Sequence, residues 1–371
     1  MLELNELLHY AVEQRASDLH LKAGGRPHIR VDGHLQETEF DVLTPADTER
    51  IAAAVLTPAR AAEFARSGEA DVAYGAGEPG GADGAGRFRV NLFRQRGSVA
   101  VVLRRVLPGT PSFDVLGLPP VVRRLAEEQR GLVLVTGPTG AGKTTTVAAM
   151  IDQINETATK HIVTIEDPIE VLHRDKRSIV NQREIGSDTT DYNSALARVL
   201  RQDPDVVFIG ELRDAETAWA ALAAAGTGQL VISTVSTTSA LESVNLLIDF
   251  FPPGRQRQAR MSLAACLRGI VSQRLLERVD GKGRIPAVEV LMATGRVFDK
   301  IVNEDETAGL EQIIAEGEYY GMQTFDQSLF GLYKNGLIGL RDALAAATHP
   351  HDLRISLQQA GLPVGPPDAL R

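Results

Sequence analysis

The chain of 371 residues contains a single cysteine, Cys266, which excludes an internal disulfide and a zinc site built from several thiolates. Long apolar runs are also missing: the longest, Ala218 to Ala225, falls far below the ~20 residues needed to cross a bilayer. The N-terminus, MLELNELLHYAVEQ, places acids where a signal peptide carries positive charge ahead of an unbroken apolar stretch. The expectation is a cytoplasmic protein. Cations are in deficit, with 39 Lys and Arg against 48 Asp and Glu and a formal charge of -9, which disfavours a surface that grips nucleic acid throughout. What is present, 43% hydrophobic and 23% charged residues, is the composition of an ordinary folded protein. At ~100 to 200 residues per domain, the length implies two or three domains, each with its own core.

Leu4, Leu7, Leu8 and Ala11 recur at helical spacing, so the first element reads as an amphipathic packing helix. From His20 to about Val106 the stretches LHL, HIRVDG, ADVAYG, RFRVNLF and SVAVVLRRV alternate and are punctuated by Gly and Pro. They predict the strands of a small α/β or α+β domain, with one helix from about Ala46 to Arg66. The glycine-rich stretch Gly75 to Gly86 reads as a mobile hairpin loop, since no helix start follows it. Leu107 to Pro120 breaks both periodicities with Pro and Gly and reads as a linker. Beyond it, apolar strands alternate with helices: GLVLVT then Lys143 to Asn155, HIVTI then a polar segment, DVVFIG then Ala215 to Ala225, QLVIST then Ser239 to Asp249. That alternation implies a parallel sheet covered on both faces. From Gln256 to the end helical periodicity is expected to dominate.

The sharpest motif is Gly137-Pro138-Thr139-Gly140-Ala141-Gly142-Lys143-Thr144, a G-x-x-x-x-G-K-[ST] match set between a predicted strand and a predicted helix. Glycines let backbone N–H groups turn inward around phosphate oxygens, and a helix N-terminus adds roughly half a positive charge at the same place. ATP is the expected ligand, held by Gly137 to Lys143 with Thr144 and Thr145. Lys143 is expected at the β and γ phosphates and the Thr144 hydroxyl at Mg²⁺. Val206-Val-Phe-Ile-Gly-Glu211 ends an apolar strand in an acid, placing Glu211 at the carboxyl edge of the sheet, where ligands of open α/β sheets sit. Glu211 is thereby a candidate catalytic acid and Mg²⁺ ligand, directly or through water. Glu166, Asp167 and Glu170 follow the strand His161 to Ile165, and three acids near one phosphate site favour a metal-assisted reaction over a structural ion pair. Arginines 87, 89, 94, 96, 104 and 105 cluster in the first domain. They fit a solvated basic strand face, an RNA-binding sheet without its usual aromatic motif, or arginines that reach a nucleotide held elsewhere.

Together, ASDLHLKAGGRPHIRVDG at 16 to 33, RFRVNLFRQRG at 87 to 97, GPTGAGKTTT at 137 to 146, TIEDPIE at 164 to 170, VNQREIG at 180 to 186, ALARVLRQDPDVVFIGELRDAET at 195 to 217 and GMQTFDQSL at 321 to 329 resemble the type IV pilus retraction ATPases, the PilT and PilU branch of the secretion ATPases. The resemblance implies a PAS-like α+β domain over 1–106, a linker over 107–120, and a RecA-like P-loop NTPase domain over 121–371. The second domain then has a mostly parallel sheet and a helical part from about 256. It implies Glu170 in the aspartate-box role, Glu211 in the Walker B role, and Arg89, Arg96 and Arg104 as γ-phosphate contacts. It further implies a homohexameric ring and an inner-membrane pilus platform protein as partner, possible pairing with a related pilus ATPase, and membrane association only through that platform. The chain departs from the family where histidines are usual, with Gln229 and Ser236 in their place, and where A-I-R-N-L-I is replaced by Arg296 to Ile301.

Three functions compete at this point. The first is an ATP-driven retraction motor with Lys143, Glu170 and Glu211 as catalytic residues. The second is a nucleotide-gated accessory ring with little turnover, suggested by the missing histidines. A type II secretion or pilus assembly ATPase fits less well, because such proteins resemble longer chains with a four-cysteine zinc module. The net charge disfavours a nucleic-acid translocase.

Overall fold

The computed structural model describes residues 3–31, 33–76, 85–106 and 109–364. The tip of the glycine-rich stretch, 77–84, and residues 107–108 at the start of the expected linker lie outside the described residues. The chain divides into two compact units. The first is Met1–Gly109 with Asp167–Arg174 and Glu184–Thr190, and the second holds the remainder from Thr110. From Thr110 the expected linker belongs to the second unit, where Phe113–Leu116 forms a helical turn.

In the first unit, strands β1 (Asp18–Lys22), β2 (His28–Val31), β3 (His34–Glu37), β4 (Glu69–Ala76), β5 (Gly86–Gln95) and β6 (Ser98–Val106) form one sheet in the order β3-β2-β1-β6-β5-β4. Every pairing is antiparallel. The helix Leu4–Glu13 buries Leu4, Leu7, Leu8 and Ala11 in the same core as Leu19, Leu21, Val90, Leu92, Val101 and Leu103. One helix is expected over 46–66, but the structure has two, Pro45–Val55 and Pro58–Ser67. Pro58 has no N–H to donate and disfavours helical backbone at Thr57, so Thr57 caps the second helix instead of continuing the first.

In the second unit, β7 (Gly131–Thr136), β8 (His161–Glu166), β9 (Ile179–Glu184), β10 (Val206–Ile209), β11 (Leu230–Val235), β12 (Leu267–Glu277) and β13 (Arg284–Met292) form a sheet in the order β13-β12-β7-β11-β10-β8-β9. The pairs β12–β7, β7–β11, β11–β10 and β10–β8 are parallel, and only β13 is shown running antiparallel to its neighbour. Every residue of β7, β10 and β11 is buried, as a sheet covered on both faces requires. The fold is therefore α/β, with an N-terminal sheet domain and a mostly parallel second sheet. β12 and β13 correct the expectation of helical periodicity from Gln256. Their sequences, LRGIVSQRLLE and RIPAVEVLM, are buried on both faces over most of their length, and the alternation that marks a half-exposed strand is lost. Helices resume at Gly295 and pack Phe325, Leu329, Leu344, Leu353 and Leu357 against Leu276, Ile285 and Ala287 of the hairpin.

The first unit contains a buried carboxylate, Asp18, only 4% exposed. It accepts hydrogen bonds from Ser17 Oγ and Arg104 Nε, each at 2.7 Å, and lies 3.8 Å from Arg30 Nε. Burial alone would push this carboxyl up. The hydrogen bonds from Ser17 and Arg104, with the Arg104 and His20 charges, outweigh it and hold the group below its ordinary 3.8. Because the folded value is depressed, the stabilisation is complete above pH 3.8 and disappears as pH falls through the folded value. Asp18→Asn is expected to lower unfolding free energy by about 2 kcal/mol at pH 7. In urea titrations of the full chain the gap between parent and variant should narrow below pH 3.8; a gap that does not change with pH would remove the ionised carboxylate from the account.

Candidate functional site

β7 runs straight into the loop Gly137–Gly142, and the helix Lys143–Thr157 starts at its end. The strand is buried and the helix needs its own axis, so the chain must reverse within a few residues. It does so through three glycines with positive φ, Gly137 at 146°, Gly140 at 82° and Gly142 at 89°. A side chain at Gly137 would meet the carbonyl oxygen of Gln273 at 2.6 Å and Ala141 Cβ at 2.8 Å, so close approach as well as φ demands glycine. Gly142 is the N-cap of the helix and no side chain caps it. The first-turn N–H groups therefore face the loop, as an anion site requires.

Lys143 curls back over this turn. Its Nζ donates to Gly137 O at 2.7 Å and Pro138 O at 3.3 Å, and stands 3.5 Å from Ser236 Oγ. Ser236 follows the end of β11 and donates to Glu211 Oε1 at 2.7 Å. Glu211, just beyond β10, accepts from Arg213 Nε at 2.7 Å through Oε2. Parallel strands bring their carboxyl ends to one edge, which is why Ser236 meets Lys143 from 93 positions away and Glu211 from 25 positions away here. Burial raises the Glu211 carboxyl, but the Ser236 and Arg213 hydrogen bonds and the Arg213 and Lys143 charges overcome it, leaving the group below its ordinary 4.5. At neutral pH it is a carboxylate beside an ammonium.

Other expected site residues are placed differently. Glu166 is buried at the end of β8 and accepts from Thr164 Oγ1 at 2.6 Å and Gln182 Nε2 at 3.1 Å, all within the second unit. Glu170 belongs to the first unit, where Arg89 Nη1 donates to it at 3.1 Å. Arg104 is held by Asp18 in that unit. Arg96, with φ 49°, sits exposed in the tight turn between β5 and β6. Arg89 and Arg104 line a cavity of about 880 Å³ in the first unit together with Asp18, Asp167 and Glu184. Gln229 precedes β11, its carbonyl accepting from Gly131 N at 3.0 Å, at the sheet edge opposite Ser236. Two contributors are not evident from motifs: Arg213, two residues past Glu211, and Gln273 beneath the loop.

The glycine turn at the end of β7, with a lysine at the helix start and an acid past β10, defines a P-loop nucleotide-binding architecture. The chain belongs to the type II/IV secretion system protein family, whose profile matches residues 83–318, and within it to the PilT and PilU branch. It is 40% identical over 357 residues to the type IV pilus ATPase PilU of Pseudomonas aeruginosa, covering 96% of this chain and 92% of that one. To the type IV pilus retraction ATPase PilT of the same organism it is 38% identical over 351 residues, covering 95% of this chain and 100% of PilT. The crystal structure of the pilus retraction motor PilT with bound ADP matches with a TM-score of 0.85 at 43% identity, covering 95% and 99% of the two chains.

The glycines make separable demands. Gly140→Ala has open space and should cost only the left-handed backbone, about 1 kcal/mol, whereas Gly137→Ala adds a backbone clash and should cost about 3 kcal/mol. Chemical denaturation of the two variants measures the difference; equal costs would show that the loop yields freely at Gly137.

Proposed function

We propose that the protein is a Mg²⁺-dependent ATP hydrolase that drives pilus retraction as a homohexameric ring. The observation that carries this reading is the convergence of Lys143, Ser236 and an ionised Glu211 at a glycine turn that opens a helix. The likeness to PilT and PilU over nearly the whole chain supplies the retraction part.

In this reading the N–H groups of Gly137 to Thr145 surround the triphosphate, and Lys143 leaves the carbonyls of Gly137 and Pro138 for the β and γ phosphates. The donor set fits a hard cation: the Thr144 hydroxyl in the first turn, and the Glu211 carboxylate kept ionised by its neighbours, directly or through water. A Mg²⁺ ion held by these groups would supply neutralisation of phosphate charge. Glu211 orients the attacking water and takes its proton, and Ser236 and Arg213 fix the direction of its oxygens. Glu170, with Arg89, Arg96 and Arg104 of the first unit, serves the same nucleotide when the ring is assembled. The proposed partners are further copies of the chain and an inner-membrane pilus platform protein, with a related pilus ATPase able to share it. No helix among the described residues is long and apolar enough to cross a membrane. The proposed place of the ring is the cytoplasm, held peripherally at the membrane by the platform. No nucleic acid takes part.

A second reading, an accessory ring with slow turnover, draws on one observation: both Glu211 oxygens already accept hydrogen bonds, from Ser236 and Arg213. Steady-state phosphate release separates the two. In the motor reading, Lys143→Ala abolishes phosphate release by weakening nucleotide binding, while Glu211→Gln retains ATP and loses turnover by about 10²-fold or more. Parental turnover in the Gln variant would dismiss Glu211 as the base, and near-background release by the unaltered ring would favour the accessory role.

A further inference from the structure

β12 pairs with β7 as far as Thr136 and continues beside the start of the nucleotide loop. Thr136 Oγ1 donates to Ser272 Oγ at 2.9 Å, both side chains fully buried. The parallel register pairs Ser272 with Thr136, which carries Gln273 one residue further, level with Gly137. There the Gln273 carbonyl occupies the space that any Cβ on Gly137 would need. The Gln273 side chain is 2% exposed, and its Nε2 donates to Thr146 Oγ1 at 2.9 Å in the first turn of the helix Lys143–Thr157. A side chain built on Gly142 would meet Leu275 Cδ1 at 3.5 Å.

The other end of the same carboxamide gives the reason to look further. Gln273 Oε1 is buried and has no hydrogen-bond partner among the described residues. A buried acceptor left unpaired is a cost to folding, and most buried polar atoms avoid it. Leucine would remove the orphaned oxygen at the cost of the Thr146 bond, so folding stability gives the glutamine little advantage. Stability therefore does not account for a glutamine here. Its one hydrogen bond goes to the turn that presents Lys143 and Thr144.

We propose that Gln273 is a positioning residue for the nucleotide loop: its amide fixes Thr146, and with it the first helical turn, at the setting that receives phosphate. The proposal rests on the reading of this loop as an ATP site and adds a residue from the far hairpin to it. Gln273 touches neither nucleotide nor metal and acts through Thr146.

The test compares the full parental chain with Gln273→Leu, Thr146→Val and the double variant. Two measurements are made on each: thermal unfolding without nucleotide, and calorimetric titration with ADP, both with Mg²⁺ and in EDTA. Gln273→Leu is expected to melt within a few degrees of the parental temperature, because it removes the orphaned oxygen while Thr146 Oγ1 loses its donor, and yet to bind ADP about tenfold more weakly. Thr146→Val should weaken ADP to a similar degree, and the double variant should be no weaker than either single one, since all three break the same bond. Gln273→Leu with parental ADP affinity overturns the proposal, as does a large fall in melting temperature accompanying the weaker binding, which would make Gln273 an ordinary core residue. If the parental chain itself fails to take up ADP, the nucleotide reading falls and this proposal with it; parental binding with an indifferent variant rejects this proposal alone.

Discussion

The site depends on one backbone event, the reversal of the chain between β7 and the helix Lys143–Thr157. A buried strand must end with its amides turned toward one point, and L-residues resist the left-handed angles this takes. Gly137, Gly140 and Gly142 supply those angles, and at Gly137 the neighbouring carbonyl of Gln273 makes the lack of a side chain compulsory. The rest of the site is arranged around that point by the parallel sheet, whose strands β10 and β11 finish at the same edge and deliver Glu211 and Ser236 beside Lys143.

Electrostatics then follow from position. A half-buried carboxylate would ordinarily tend to take up a proton, but Glu211 has a hydroxyl donor on one oxygen, a guanidinium on the other and an ammonium nearby. The balance falls to the charged form, which is the form a metal or a water proton requires. In the first unit Asp18 shows the same balance for a structural purpose, with Ser17 and Arg104 in the donor roles. Glu289 in β13 shows the opposite outcome. It is buried, and burial raises its carboxyl despite the bond from Ala240 N and the Arg274 charge. That bond ties β13 to the start of the helix Ala240–Asp249, four residues after Ser236. The hairpin β12–β13 thus supports the nucleotide loop with one strand and the Ser236 loop with the other, while the C-terminal helices pack on its Leu276, Ile285 and Ala287.

The parts legible in the sequence are those whose geometry is local. The loop is legible because its glycines, lysine and threonine are consecutive and each has a conformational or charge requirement. Glu211 is legible because an apolar run of four ends just before it. The helix starts at Ala215 and Ala240 are legible from Asp214 and Ser239, which cap them. The break at Thr57 and Pro58 was equally local, yet the continuous helical spacing on either side hides it. Gln273 could not be read at all, since it meets Thr146 across 127 positions and only because β12 inserts beside β7. β12 itself is hidden by burial: with both faces covered, the period of two that marks a strand vanishes from its sequence.

Gln229 and Ser236, which stand where the family usually has histidines, show how placement changes the meaning of a departure. They bracket β11, and six residues at about 3.3 Å each separate its ends by roughly 20 Å. Gln229 bonds to Thr227 and, through its carbonyl, to Gly131 at the start of β7; Ser236 bonds to Glu211 and approaches Lys143 at the end. Within one chain only Ser236 can influence a phosphate held by this loop, so the two substitutions cannot be two halves of one lost function. A serine there also differs from histidine in kind. It can donate to Glu211 while accepting from Lys143, and it does so without adding a second positive charge beside the ammonium when the pH falls through the imidazole range. Replacing imidazole by hydroxyl at this point keeps the bridge between cation and carboxylate and removes its titration, so the pH response of the site is left to the groups it joins.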